Sequence, residues 1–210
     1  MNTYLSNLLN RYATKHFDSN FKVSKQLEDL LDQTLDLAPT SYGLQPFKVI
    51  KVVTPKIREK LLSASWDQKQ VTDSSIYYVF CVRKDINQKM VLDYIKNISN
   101  VRGVGTETLS GYEQMMNGAI QAMSDEQKID WAKKQTYLVL GFLLDAVAQN
   151  GLDSCPMEGF DPVKYSEILE LEDKGLVASV CCAVGKRSKD DMYAQMKKVR
   201  VGTEKLIITI

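Results

Sequence analysis

Histidine is almost absent: His16 is the only one in 210 residues, and no His/Cys/carboxylate cluster falls at ligand spacing. A zinc site then has no ligand set, and metal catalysis is not expected. The four cysteines, Cys81, Cys155, Cys181 and Cys182, make no Cys-x-x-Cys pair. The adjacent two point to opposite faces if they lie on a strand, so all four read as buried thiols of a reducing compartment. No apolar run approaches the roughly 20 residues of a membrane span, and the most apolar stretch, 137–148, contains Asp145. Residues 1–9 lack a basic segment followed by an apolar one, so no secretory leader is read and a cytoplasmic location is expected. An excess of either charge is also missing. Twenty-seven basic residues stand against twenty-six acidic ones, for a net charge of +1. Without single-sign blocks there is no field suited to nucleic acid or to an anionic membrane, and a small-molecule partner is favoured. Linkers, repeats and low-complexity tracts are absent, as is a Gly-x-Gly-x-x-Gly turn of the Rossmann type. With 44% hydrophobic residues, the expectation is one α+β domain over 1–210.

What is present is strongly patterned. Leu5, Leu8, Leu9 and Tyr12 recur at helical spacing, as do Leu27, Leu30, Leu31 and Leu35 after the N-cap Ser24. The turn-rich stretch 38–46 leads into a strand over 47–53. Thr54-Pro55 opens a helix over 56–65, a second strand follows over 76–82, and a helix over 87–98 comes next. Residues 99–123 are the least readable; there Tyr112, Met115 and Met116 either cover a ligand or simply pack. Ser124-Asp125-Glu126-Gln127 has capping-box spacing and starts a helix that runs to Gln149, where Asn150-Gly151 supplies a left-handed stop. Its second half is apolar on nearly every face, as a helix surrounded by protein would be. A short strand at 152–155, a turn at Pro156-Met157-Glu158-Gly159, a helix over 162–169 and a buried strand over 176–184 complete the core. The β-branched end, 206–210, reads as an edge strand of this chain or of another subunit's sheet.

Arg11 and Lys15 near one end, and Lys198 and Arg200 near the other, bracket the Pro156-Gly159 turn. Cations together with a close-approach backbone turn suit a phosphorylated ring cofactor. Taken singly, each residue also has a plain structural use: helix-end or surface charge for the cations, turn formers for Thr40 and Ser41.

The order Arg11 to Lys15, Pro39-Thr40-Ser41 to Gln45-Pro46, Gly151-Leu152-Asp153 to Gly159-Phe160, and Lys198-Val199-Arg200 resembles the FMN-dependent nitroreductases over nearly the whole chain. It is most similar to the oxygen-insensitive NAD(P)H nitroreductase and dihydropteridine reductase branch. The resemblance implies a nitroreductase-like fold: a mostly antiparallel sheet flanked by helices, a long core helix, and an intertwined homodimer with FMN at each of two subunit interfaces. It also implies an oxidoreductase that takes hydride from NADH or NADPH and passes two electrons to a nitroaromatic or quinone by ping-pong kinetics. Sister flavin activities, reductive dehalogenation or flavin breakdown, and a non-catalytic flavin-binding protein are the alternatives.

By the same resemblance Arg11, Lys198 and Arg200 hold the phosphate, and Tyr12 and Ala13 contribute backbone. Lys15 sits by the pyrimidine edge of the ring, where a cation favours the charge that grows on reduction. Thr40 and Ser41 pair with polar atoms of the cofactor, and Asp67 and Gln70 lie near the ring's pyrimidine oxygens. Pro156, Met157, Glu158 and Gly159 pass along one face, with the N–H of Glu158 or Gly159 directed at N5. Tyr42, Tyr112 and Met116 are candidates for contact with substrate.

Overall fold

The structure, a computed structural model, describes residues 2–210. Two amphipathic helices open it, α1 (Thr3–Asn10) and α2 (Lys25–Leu37), the second capped by the Ser24 hydroxyl on the Leu27 N–H. β1 (Phe47–Lys51), α3 (Pro55–Ser63, with proline in its first turn), the short α4 (Gln70–Asp73) and β2 (Ile76–Arg83) follow. Next come α5 (Gln88–Arg102), ended by left-handed Gly103, then α6 (Ser110–Gln121) and α7 (Asp125–Gln149). β3 (Asp153–Met157), α8 (Pro162–Leu169), β4 (Leu176–Gly185) and α9 (Thr203–Leu206) complete the order.

The four strands form one antiparallel sheet, β1-β2-β4-β3, with a bulge at Ser179 of β4, opposite the Phe80–Cys81 step of β2. The central pair is buried on both faces, so alternate residues of β4 serve different layers. Cys181 belongs to the layer packed with Leu61, Tyr165 and Leu171; Cys182 belongs to the layer of α2 and α7 with Leu31, Leu143 and Val147. A third cluster joins α5, α6 and the first half of α7 through Val91, Ile95, Ile120 and Ala132. No helix among the described residues is long and apolar enough to cross a membrane.

α7 carries both halves of its capping box, Ser124 and Gln127, and Gly151 beyond it takes φ +67°. One side of it is bare, however: Tyr137, Leu138 and Phe142 are each 43% exposed. The helix is thus covered by the sheet and by neighbouring helices of its own chain, but not along this strip.

Three sequence expectations change. Residues 99–123 fold as the end of α5, a 3-10 turn and α6, and Met116 is 0% exposed. It fills the third cluster and does not line a substrate pocket, because α6 turns it inward with Ile120. Pro156 and Met157 belong to β3, paired with Cys182 and Cys181, so the turn begins only at Glu158. The tail 206–210 forms no strand. α9 ends at Leu206 and Ile208 is 85% exposed, since β-branched residues favour a strand only where a free edge receives them.

Candidate functional site

α1 ends at Arg11, whose backbone turns extended, and the next residues run beside β3. The Thr14 N–H donates to the Ser154 carbonyl at 3.1 Å, and Ala13 forms a parallel bridge with Ser154. Groups from the far end of the chain hold this segment along its length. Lys198 donates to the Arg11 carbonyl, and the Arg187 guanidinium lies 4.6 Å from the centre of the Tyr12 ring. Arg187 is itself fixed by buried Asp153, which accepts its backbone N–H at 2.8 Å and its Nε–H at 2.7 Å. Asp191 accepts the N–H groups of Lys15 at 2.8 Å and His16 at 3.1 Å. His16 itself points to solvent.

The result is a cleft of about 1020 Å³ whose lining includes Arg11, Tyr12, Ala13, Lys15, Lys198 and Arg200. None of these four cations takes part in a salt bridge among the described residues. Burial and then the nearby Arg200 lower the Arg11 pKa; burial, Arg11 and Arg200 lower that of Lys198. Like charges that depress one another in this way are stabilised by an anion placed among them. Some donors of the segment are also uncommitted: Arg11 Nε and the Tyr12 hydroxyl, from residues that line the cleft, and Thr14 Oγ1 behind them are buried without a hydrogen-bond partner. Such orphaned groups cost stability unless something pairs with them. The Tyr12 hydroxyl lies beside Asp191 without closing a bond, and burial with that neighbour pushes its pKa up to about 12.

A second cleft, of about 450 Å³, is lined by Tyr137, Gly141, Leu144, Pro156, Glu158 and Val180. Met157 does not line it; its side chain is 4% exposed within the core. The Glu158 carboxylate is exposed and accepts the Tyr137 hydroxyl; burial, then this carboxylate, push the tyrosine up to about 12. The ends of the Trp66 and Gln68 side chains pack closely on Gly159. A Cβ there would stand 2.7 Å from Trp66 Cζ3 and 2.9 Å from Gln68 Nε2. The Gly159 carbonyl accepts Gln68 Nε2 at 2.8 Å, while its N–H meets no acceptor among the described residues.

Trp66 and Asp67 are consecutive left-handed residues, φ +52° and +56°, a strained pair of the kind concentrated at binding sites. Asp67 is exposed and bridges to neither Lys15 nor Lys69. Gln70 is buried. Burial raises the neighbouring Cys155 thiol, while Lys15, Gln70 and Arg11 each oppose the rise, so these three groups converge on Cys155.

Thr40, Ser41 and Tyr42 stand apart and line neither cleft. The Ser41 N–H donates to Gln135 Oε1 of α7 at 2.8 Å, and Thr40 Oγ1 accepts the Gln45 N–H at 3.3 Å. Tyr42 sits at φ +59°, its carbonyl accepting the Tyr112 hydroxyl at 2.9 Å. Sequence reasoning missed Trp66, Gln135, Tyr137, Arg187 and Asp191. Their partners lie 21 to 176 residues away, so no local spacing marks them.

A family model described as Nitroreductase family matches residues 8–186. The protein YfkO of Bacillus subtilis (strain 168), provisionally named an NAD(P)H nitroreductase, is 38% identical over 191 residues, covering 86% of each chain. Among solved structures, ydfN of Bacillus subtilis, provisionally a nitroreductase, superposes with a TM-score of 0.87 at 20% identity, covering 99% of both chains. A provisionally named nitroreductase from Exiguobacterium sibiricum 255-15, solved in complex with FMN, gives a TM-score of 0.82 at 19% identity, covering 99% of this chain and 97% of that one. The last two share the fold; the match over most of the chain and the identity with YfkO decide membership. The chain belongs to the Nitroreductase family.

Proposed function

We propose that this protein is an FMN-dependent NAD(P)H oxidoreductase of nitroreductase type, a single domain over 1–210 that works as a homodimer. One observation carries the reading: Arg11, Lys198 and Arg200, from the two ends of the chain, meet in one cleft whose lining acid, Asp153, is already paired with Arg187. A phosphate monoester, with close to two negative charges, is the kind of group such a cluster holds, each charge-assisted contact contributing roughly 1.5–3 kcal/mol. The orphaned Arg11 Nε and Tyr12 hydroxyl belong to residues that line the same cleft.

FMN, when bound, would supply the redox chemistry, taking hydride from NADH or NADPH and yielding two electrons to a flat acceptor such as a nitroaromatic or quinone. The side chains have the remaining work. Lys15 places positive charge beside the ring and favours its reduced, more negative state. The unpaired Gly159 N–H is a donor free to meet a ring nitrogen, and the absence of a Cβ lets a planar group approach. Tyr137 holds Glu158, and through it the start of that turn.

Two features support the second copy. The bare strip of α7, Tyr137, Leu138 and Phe142, and the exposed tail residues Leu206, Ile207 and Ile208 are apolar surface of the kind an obligate partner covers. Thr40 and Ser41 lie outside both clefts of their own chain, as expected if they serve the site of the other subunit.

The test is titration of flavin-free protein with FMN and with riboflavin, followed by NADH and NADPH oxidation with a nitroaromatic acceptor. FMN is expected to bind at least roughly 100-fold more tightly, the equivalent of two charge-assisted contacts. Equal affinity for the two ligands would remove the cation cluster from the site. Binding without nicotinamide oxidation would leave a flavin-binding protein that is not an enzyme.

A further inference from the structure

The Lys15 ammonium can act on a ring only if the backbone of an extended, otherwise weakly paired segment is held still. The last ladder-like contact before Lys15 is at Thr14, and the next is the isolated antiparallel bridge of Phe17 with Arg187, in which the His16 carbonyl accepts the Ser188 N–H at 2.9 Å and the Asp18 N–H donates to the Lys186 carbonyl at 2.8 Å. Between them the N–H groups of Lys15 and His16 have a single acceptor, the Asp191 Oδ2 atom, at 2.8 and 3.1 Å. Asp191 is 2% exposed, and its other oxygen accepts the Tyr193 N–H at 3.1 Å, which starts the 3-10 turn Met192–Gln195. One carboxylate therefore joins the cation segment to the arm that carries Lys198 and Arg200, across 176 residues of sequence.

We propose that Asp191 is a positioning residue for the redox site: it clamps the Lys15–His16 backbone so that the Lys15 ammonium stays beside the ring of the bound cofactor. This rests on the flavin reading above. The chemistry favours a carboxylate over any neutral acceptor. An ionised carboxyl offers both oxygens as acceptors only, about four lone-pair positions, whereas an asparagine amide has one acceptor oxygen and two N–H donors that would face the N–H groups of the segment. Hydrogen bonds to a charged acceptor are about twice as strong as neutral ones. The carboxylate accepts the Lys15 backbone N–H without forming a salt bridge with the Lys15 side chain, so the ammonium remains free for the ligand.

The experiment compares wild type, Asp191→Asn, Lys15→Gln and the double variant, with Asp191→Glu as the conservative control. In flavin-free protein, amide hydrogen exchange at Lys15 and His16 should speed up about tenfold in Asp191→Asn, with less change in Asp191→Glu. In the flavin-loaded protein, the ratio of reduced to oxidised FMN affinity should fall about tenfold, a midpoint potential about 30 mV lower for a two-electron couple. In the Lys15→Gln background, adding Asp191→Asn should change that ratio by less than twofold. Unaltered exchange at both amides overturns the clamp, and so does faster exchange with an unmoved potential. A full tenfold effect of Asp191→Asn in the absence of Lys15 also overturns it. Should Asp191→Asn fail to fold, unprotected Lys15 and His16 amides in the wild type would overturn the clamp, and protected ones with loss of protection in Asp191→Glu below pH 4 would support it. A wild type that binds no flavin but shows protected amides, lost in the variant, would reject the flavin reading while leaving the backbone clamp in place.

Discussion

Around β4, Leu143 of α7 and Val180 of the strand meet groups of their own apolar kind, and the contact is complete within one chain. In the cleft between the chain ends, Arg11 faces Arg200 and Lys198, and among the described residues none of the three forms a salt bridge, the lining acid Asp153 being paired with Arg187. The first arrangement stabilises the fold in the absence of any ligand. The second destabilises it, through like-charge repulsion and buried donors without partners, and returns that energy only when an anion arrives. The comparison separates residues kept for stability from residues kept for binding, and it does so by physical criteria: a self-compensated contact against an uncompensated one.

Substitutions should fall on one side or the other. The largest effect is expected in the core: Leu143→Ala removes a fully buried side chain and should cost about 2–5 kcal/mol of unfolding free energy, read by chemical denaturation, while the protein that remains folded binds FMN normally. Selective loss of FMN at unchanged stability would break the division. A smaller effect belongs to the cleft. Arg200→Ala should weaken FMN binding roughly 10- to 100-fold, yet leave the melting temperature of the flavin-free protein unchanged or slightly higher, because a repulsive charge has gone. A marked fall in flavin-free stability would place Arg200 with the structural residues.

The smallest effect sharpens the boundary between the two regions, where Asp191 serves both. Burial raises its pKa, but the N–H groups of His16, Lys15 and Tyr193 and the adjacent Tyr12 phenol outweigh that and hold the carboxyl below its ordinary value. A depressed folded-state pKa means stability that is fully present above the unfolded carboxyl pKa near 3.9 and is lost as pH falls through the folded value. Wild type should therefore lose stability below about pH 4 more steeply than Asp191→Asn. Parallel acid denaturation curves for the two would show that the carboxylate is not held in this way.

Much of the fold was legible because the signals are local. Ser124 and Gln127 lie three residues apart and bond each other, so the start of α7 follows from four letters of sequence. The strand at Leu176–Gly185 follows from an unbroken apolar run, and the opposite facing of Cys181 and Cys182 from the two-residue period of a strand. Met116 was not legible. A methionine at helical spacing in a Gly-containing stretch suits a lid or a core equally, and only the packing of α6 on α5 and α7 settled which. The tail was only half legible for a related reason: it joins no strand of its own chain, and β-branched residues state a preference and not a partner.

Of the candidate site, the sequence by itself supplied candidates, the cations, a glycine and two hydroxyls, and through their order the family to which the chain belongs. Tertiary structure alone decided that Arg11, Lys198 and Arg200 meet, that Asp191 reaches back 176 residues to the Lys15 amide, and that Thr40 and Ser41 remain outside the clefts of their own chain. The reason is the range of the forces. Caps, turns and periodicity act over a few residues and leave their mark in spacing. Charge convergence and long-range hydrogen bonds depend on where the sheet brings distant segments together, and no spacing along the chain encodes that distance.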